Sequence, residues 1–393
     1  MIDFYFLKYY LKKYVFCLKS LVVLILYTKI NYCKGENKMR AFEFESFEIA
    51  YPELLKALLE EGQEVSPRGM LTKEITPVGI TITNPRKRII TNPARKLNHG
   101  FTVGELIWMI SGRNDLSVTH YNKNWANYSD DGETLNGAYG QRIFRWDGMF
   151  DVIDESYVDE EGCTHPSYSL EHIVINQFEN AFEQLKKDPD TRQATIVLFN
   201  PVQDYRETKD KPCTNLLRFT IRDGKLNMLT VMRSNDIIMG FPYDVFNFTM
   251  MQEIMAGRLG VEVGKYTHVA DSLHIYEDHF EMAERIINTE HPLTYDDKFE
   301  LVDARVSDDE LENVMSYVYD IEASTRLNGA FIKVEDIESK LYKINNLYWR
   351  SLAAVLAIYN LRKERRPQAD LDILKNYVTN EFSGTVNNWN QLS

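Results

Sequence analysis

Paired cysteines are missing from this chain. Its four cysteines, Cys17, Cys33, Cys163 and Cys213, stand far apart with no CxxC pair. That removes the usual spacing of a zinc site or a dithiol redox centre and argues against a disulfide framework. A reducing cytoplasm and one reactive thiol are the expectation, with no metal. Net positive charge is missing too. A formal charge of -13 excludes the basic footprint by which proteins displace counterions from duplex nucleic acid, but a few arginines still suffice to hold a small anion. There is no glycine-rich phosphate loop and no internal repeat. Long apolar runs are also absent: the longest, residues 21–27, is too short to cross a bilayer, so no membrane partner is expected.

What is present is enough apolar residue, 44% of 393 positions, to bury a sizeable core. Residues 1–38 differ from the rest: an apolar and aromatic stretch is interrupted by Lys8, Lys12, Lys13 and Lys19. Codons for Lys34-Gly35-Glu36 can spell a bacterial ribosome-binding site just before Met39, so translation is expected to start at Met39. Residues 39–290 read as a catalytic domain and 291–393 as a mainly helical extension. Helical spacing predicts helices over 51–61, 103–110, about 169–187, 246–256 and 337–361, with Ser307-Asp308-Asp309-Glu310 as a capping box before 311–321. Strands are predicted over 79–83, 194–199, 216–221, 226–232 and 263–269, and residues 273–288 as a short extended segment leading into a helix. Asp223-Gly224 forms a hairpin turn. Residues 147–161, acidic and rich in turn formers, read as a surface insertion.

A free cysteine is most often a small buried hydrophobe. Cys213, however, follows Pro212 and precedes a strand, and Arg192, Arg218 and Arg233, if they converge on it, are expected to lower its pKa. Such a thiolate serves soft conjugate addition. Glu105 is the single carboxylate in an otherwise apolar helix. Arg233-Ser234-Asn235-Asp236 ends a strand ahead of a Gly-x-Pro turn, where an arginine and a serine suit a phosphate. His274 and Tyr276 alternate onto one face, within reach of a sugar hydroxyl.

These segments resemble the thymidylate synthase family. The resemblance is carried by Gly104-Glu105-Leu106-Ile107-Trp108, Gly137-Ala138-Tyr139-Gly140-Gln141-Arg142, Pro189-Asp190-Thr191-Arg192-Gln193 and Pro212-Cys213. It continues in Arg233-Ser234-Asn235-Asp236 through Gly240-Phe241-Pro242-Tyr243-Asp244, and in His268 through His274-Ile275-Tyr276-Glu277-Asp278-His279. The segments occur in family order from about residue 66 to 285. The resemblance implies an α/β sandwich with a large mixed sheet that dimerises back to back, here with a C-terminal helical appendage. It implies that Cys213 adds to C6 of a pyrimidine nucleotide, that Glu105 organises water and proton transfer, and that Arg68, Arg192, Arg233 and Ser234 hold the phosphate, Arg192 from across the dimer interface. Asp236 would support the pyrimidine, and His274 with Tyr276 the deoxyribose 3'-hydroxyl. The co-substrate would be 5,10-methylenetetrahydrofolate, faced by Glu105, Trp125 and Asp236.

Three departures bear on substrate and product. Asp244 stands where the family has an asparagine that reads the O4/N3 edge of uracil. A carboxylate accepts from the N4 amino group of cytosine and faces O4 of uracil unmatched, at a cost of roughly 1 to 3 kcal/mol. The expected substrate is therefore dCMP, with Asp244 part of the catalytic set. Thr214 replaces the usual histidine after the cysteine. In Tyr121-Asn122-Lys123-Asn124-Trp125 the first tryptophan of the family segment is replaced by Asn122, which would admit water to the last intermediate. The expected reaction is transfer of a one-carbon unit to C5 of dCMP with capture of water, giving 5-hydroxymethyl-dCMP and tetrahydrofolate in the cytoplasm of a bacterial or phage-infected cell. The alternatives are methylation, action on dUMP or CMP, and a non-catalytic nucleotide-binding homologue. Pro67-Arg68-Gly69-Met70 and Gln193 also depart from the family pattern, and the folate-closing tail is not recognisable in residues 388–393. The helical extension is expected to replace that lid, extend the dimer or bind another protein.

Overall fold

A computed structural model describes residues 39–153, 157–158, 163–165, 168–292, 294–295 and 299–389. Residues 1–38 and the end of the tail, residues 390–393, lie outside the described residues, and with them the expectations for those segments. The larger unit begins at Ala41, one residue into its first strand. Its main strands are β1 (Arg40–Phe44), β2 (Gln63–Val65), β3 (Thr72–Ile75), β4 (Val78–Ile82), β5 (Trp146–Ile153), β6 (Tyr168–Ile175), β7 (Thr195–Val197), β8 (Thr214–Arg222), β9 (Lys225–Met232), β10 (Asn235–Asp236), β11 (Glu262–Ala270) and β12 (Leu273–Tyr276). The main helices are α1 (Phe47–Glu61), α2 (His99–Ile110), α3 (Tyr139–Phe144), α4 (Gln177–Lys187), α5 (Phe241–Leu259), α6 (Phe280–Asn288), α7 (Asp308–Asn328), α8 (Val334–Leu341) and α9 (Leu347–Lys363).

The six-stranded sheet runs β1-β4-β11-β9-β8-β7. It is mixed because β9 and β11 pair in parallel while β8 pairs antiparallel with both β9 and β7. Burial alternates along β9, placing Leu226, Met228, Met232 and the polar Thr230 on one buried face, the period-two pattern of a strand against a core. Asp223 and Gly224, both at positive φ, turn β8 into β9, the geometry of a tight hairpin. A second sheet, β10-β12-β3-β2, stands beside the first.

Helix α5 is buried on nearly every face and packs against β9 and β11. It starts at Phe241-Pro242, where proline loses no hydrogen bond, and stops at Gly260, whose φ of +66° suits a residue without Cβ. The C-terminal helices share the apolar core. Trp349 in α9 is fully buried and donates its indole N–H to Ala304 O at 2.9 Å. The Ala304 N–H in turn donates to Glu253 of α5 at 2.9 Å, and Glu253 also pairs with the buried Arg88.

Four expectations are corrected. Residues 169–175 form strand β6, paired with β5, and only Gln177–Lys187 is helical. The Ile173-Val174-Ile175 run favours a pleated ribbon, and Asn176 caps the helix by accepting from Glu179 N at 3.0 Å. The same pairing makes part of the supposed surface insertion, residues 147–153, a strand. The long helix expected over 337–361 is broken between α8 and α9, where Asn346 accepts from Trp349 N at 3.1 Å and starts a new helix. Of the capping box, Ser307 donates to the Glu310 carboxylate at 2.9 Å and no backbone N–H bonds to its side chain.

Candidate active site

Cys213 and Arg233 meet because β8 and β9 are antiparallel: one residue precedes the first strand and the other follows the second. The Arg233 N–H donates to Cys213 O at 2.9 Å. Its guanidinium donates to Pro212 O at 3.1 Å and Lys211 O at 3.0 Å. On the other side the Thr214 N–H donates to Tyr139 Oη at 3.2 Å. The cysteine is thus held at a strand end where the β8 to β9 register shifts between Thr214 and Leu216. It is half-buried. Burial pushes its thiol pKa up, against the pull of Arg233, with Asp244 and Asp210 also raising it and Arg68 lowering it. The expected depression of this pKa by three converging arginines is corrected, since the apolar surroundings outweigh the charges that reach it. Arg192 is exposed just before β7, and Arg218 lies within β8; Arg233 and Arg68 are the arginines that act on the thiol.

Two carboxyls are coupled to each other, and one of them, Asp244, to the thiol. Glu105 on α2 is buried, accepts from Asn247 Nδ2 at 2.9 Å, and is pushed up to about 8 by burial and by Asp244. Asp244, in the first turn of α5, accepts from Asn235 Nδ2 at 2.8 Å and is pushed up to about 7 by burial. No cation pairs with either carboxyl among the described residues. Because their ordinary values are 4.5 and 3.8, the native state keeps protons that the unfolded chain has already released. Their stabilisation is therefore complete below about pH 4 and is lost as pH rises through 7 to 8. Unfolding free energy is expected to fall between pH 5 and 8 by up to about 1.4 kcal/mol per pH unit for each carboxyl. Urea titrations at fixed pH should show a shallower fall in the E105Q/D244N double variant.

Parallel pairing of β10 with β12 sets Asp236 opposite His274. Asp236 Oδ1 accepts from the N–H groups of Ile238 and Met239 at 2.8 and 3.0 Å, shaping the turn into α5. His274 and Tyr276 pack edge to face with centroids 5.3 Å apart, and Arg68, at φ +55°, donates to Tyr276 Oη at 3.4 Å. Ser234 is half-buried beside Arg233. Trp125 stands 5.8 Å from Trp108 and 6.4 Å from Phe101, an aromatic wall that suits a flat heterocycle. Asn122 is half-buried and accepts from Asn124 N at 3.1 Å. Asn235, Asn247 and Tyr139 were assigned no role from sequence. The signal available was spacing: Asp244 and Asn247 lie three apart on one face of α5. Among the described residues, no group of three or more His, Cys, Asp or Glu could hold a metal, and no helix is long and apolar enough to cross a membrane.

A cysteine at the end of a mixed sheet thus stands under the influence of Asp244, which also acts on Glu105. Residues 49–324 match the thymidylate synthase family, and the chain belongs to it. The match runs past residue 285, where the recognisable motifs end. The chain is 37% identical over 234 residues to the deoxyuridylate hydroxymethyltransferase of Bacillus phage SP01, covering 58% of this chain and 57% of that protein. It is 30% identical over 245 residues to the deoxyuridylate hydroxymethyltransferase of Pseudomonas phage M6, covering 61% of this chain and 62% of the relative. The chain therefore matches less than two thirds of the length of either curated relative.

The expectation of a dCMP enzyme is overturned by these relatives, both named for deoxyuridylate. The expectation rested on an ionised Asp244. With its only described hydrogen bond from an amide and no paired cation, its proton is held up to about pH 7. A neutral carboxyl offers one donor and one acceptor, as an asparagine amide does.

Proposed function

We propose that this chain is a deoxyuridylate hydroxymethyltransferase, converting dUMP to 5-hydroxymethyl-dUMP with 5,10-methylenetetrahydrofolate as co-substrate. The observation that carries the reading is that Asp244 acts electrostatically on both Cys213 and Glu105, and the names of the two phage relatives support uracil as the base. In this reading Cys213 adds as thiolate to C6, which makes C5 nucleophilic. Arg68, Arg233 and Ser234 hold the phosphate, with Arg192 contributed from a second subunit of a homodimer. His274 and Tyr276 hold the sugar hydroxyl. Asp236 and the Trp125 wall fit a pterin, with a carboxylate for its N–H groups and rings for its face, and are the residues that would hold it. When bound, the folate supplies the one-carbon unit.

Glu105, with a pKa pushed up to about 8, is placed to carry protons near neutrality and to orient water. Asn122, polar where an aromatic ring would exclude solvent, supports capture of that water rather than hydride. The balance is dUMP, methylenetetrahydrofolate and water in, 5-hydroxymethyl-dUMP and tetrahydrofolate out. Purified protein incubated with methylenetetrahydrofolate and dUMP is expected to yield a nucleotide heavier by one CH2O unit, read by mass spectrometry, with no rise in dihydrofolate absorbance near 340 nm. A product heavier by CH2 alone, with dihydrofolate formed, would replace hydroxymethylation by methylation. No product, and no release of tritium from C5-labelled dUMP, would leave a binding protein.

A further inference from the structure

Asp244 carries an arrangement that goes beyond naming the substrate. Its Oδ2 accepts from Asn235 Nδ2 at 2.8 Å, and a Cβ on Gly240 would stand 3.3 Å from both of these atoms. Oδ2 is therefore pinned under the Gly240 turn as an acceptor, and Oδ1 is left as the oxygen without a described partner. Four titratable groups interact electrostatically with the carboxyl, Glu105 from α2, Tyr139 from α3, Cys213 just before β8 and Tyr266 from β11, and Asn235 from β10 donates to it. None of them is a cation. Two are acids or thiols whose ionisation opposes that of Asp244, and two are phenols that burial keeps neutral. Glu105 and Asp244, each with one amide donor and the second raising the pKa of the first, do not both ionise readily.

Resting on the reading of the site as a dUMP site, we infer that Asp244 meets uracil as a neutral carboxylic acid, Oδ1–H donating to O4 and Oδ2 accepting N3–H on its second lone pair, so that one proton on this side chain sets dUMP affinity. Asn235 decides which oxygen holds the proton, because Oδ2 already receives its amide hydrogen. Burial that pushes Asp244 up to about 7 places the proton's loss within the working range of pH. Ionised, the same carboxylate faces O4 with no donor to offer, and a buried oxygen pair is left unmatched. An asparagine at this position keeps both contacts and has no proton to lose.

The test is dUMP binding alone, without folate, by calorimetry from pH 6 to 8.5 for the wild type and the D244N variant. Taking the ratio of the two dissociation constants cancels the titration of the ligand phosphate, and because Asp244 raises the pKa of Glu105 and of Cys213, the comparison is repeated in the E105Q/C213S background, where neither can titrate. The ratio of wild type to variant is expected to rise about tenfold or more across this range, because only the protonated fraction binds. At pH 8 the wild type should take up close to one more proton on binding than the variant does, measured from buffers of different ionisation enthalpy. A flat ratio with equal proton uptake, or wild-type affinity that rises with pH, overturns the inference while leaving dUMP as substrate. Absence of dUMP binding by both proteins at every pH overturns the functional reading and this inference with it.

Discussion

Replacement of Cys213 by serine is expected to lower hydroxymethylation of dUMP by about 10⁴-fold or more while leaving dUMP binding measurable. The reason is ionisation. Conjugate addition to C6 needs a polarisable anion, and a serine hydroxyl remains neutral at any pH at which the protein is folded. The thiol itself begins above its ordinary range, because burial and the nearby Asp244 and Asp210 outweigh Arg233 and Arg68. Loss of the proton is thus part of the reaction rather than a property of the free protein, and Arg233, whose Nε and Nη2 donate to Pro212 O and Lys211 O, positions the thiol more than it ionises it. Single-turnover formation of nucleotide product, with calorimetry for dUMP binding, checks the expectation. A serine variant retaining a tenth of wild-type turnover would remove Cys213 from the chemistry.

Truncation of Trp349 to alanine is expected to cost about 3–5 kcal/mol of folding free energy, the range for a fully buried aromatic in a close-packed core. Trp349 has no exposed surface, and its indole N–H is the bond that ties α9 to Ala304. Ala304 is held in turn by Glu253, on the helix whose first turn carries Asp244. Removing the ring leaves a cavity and also leaves the Ala304 carbonyl without its donor. Urea unfolding should show a lower midpoint in the variant. A midpoint unchanged from wild type would mean that the C-terminal helices stabilise the site-bearing core through other contacts.

Much of this molecule was legible in advance because its signals are local. Alternation over residues 226–232, the Asp223-Gly224 turn and the apolar face around Leu54 and Leu58 depend only on near neighbours in the chain, and β9, its hairpin and α1 formed there. The stretch 169–175 was misread because Ser169-Leu170-Glu171-His172 satisfies a helical and a pleated pattern alike. Pairing with residues 146–153 settled it, a partner no local window contains. The break at Asn346 was missed for the opposite reason: the apolar residues on either side of 342–346 keep a helical rhythm, and one asparagine accepting from Trp349 N ends it.

From its residues alone this chain determined which groups are available: one cysteine behind a proline, a lone glutamate in an apolar helix, an aspartate in place of an asparagine, and their order along the family's motifs. Only the tertiary structure decided the state in which those groups stand. Whether a carboxyl is charged depends on what surrounds it, and the surroundings of Asp244 come from elements scattered between residues 105 and 266. Covalent sequence fixes an acid's identity, whereas burial without a paired cation shifts its hold on the proton, and that shift exists only in the folded chain.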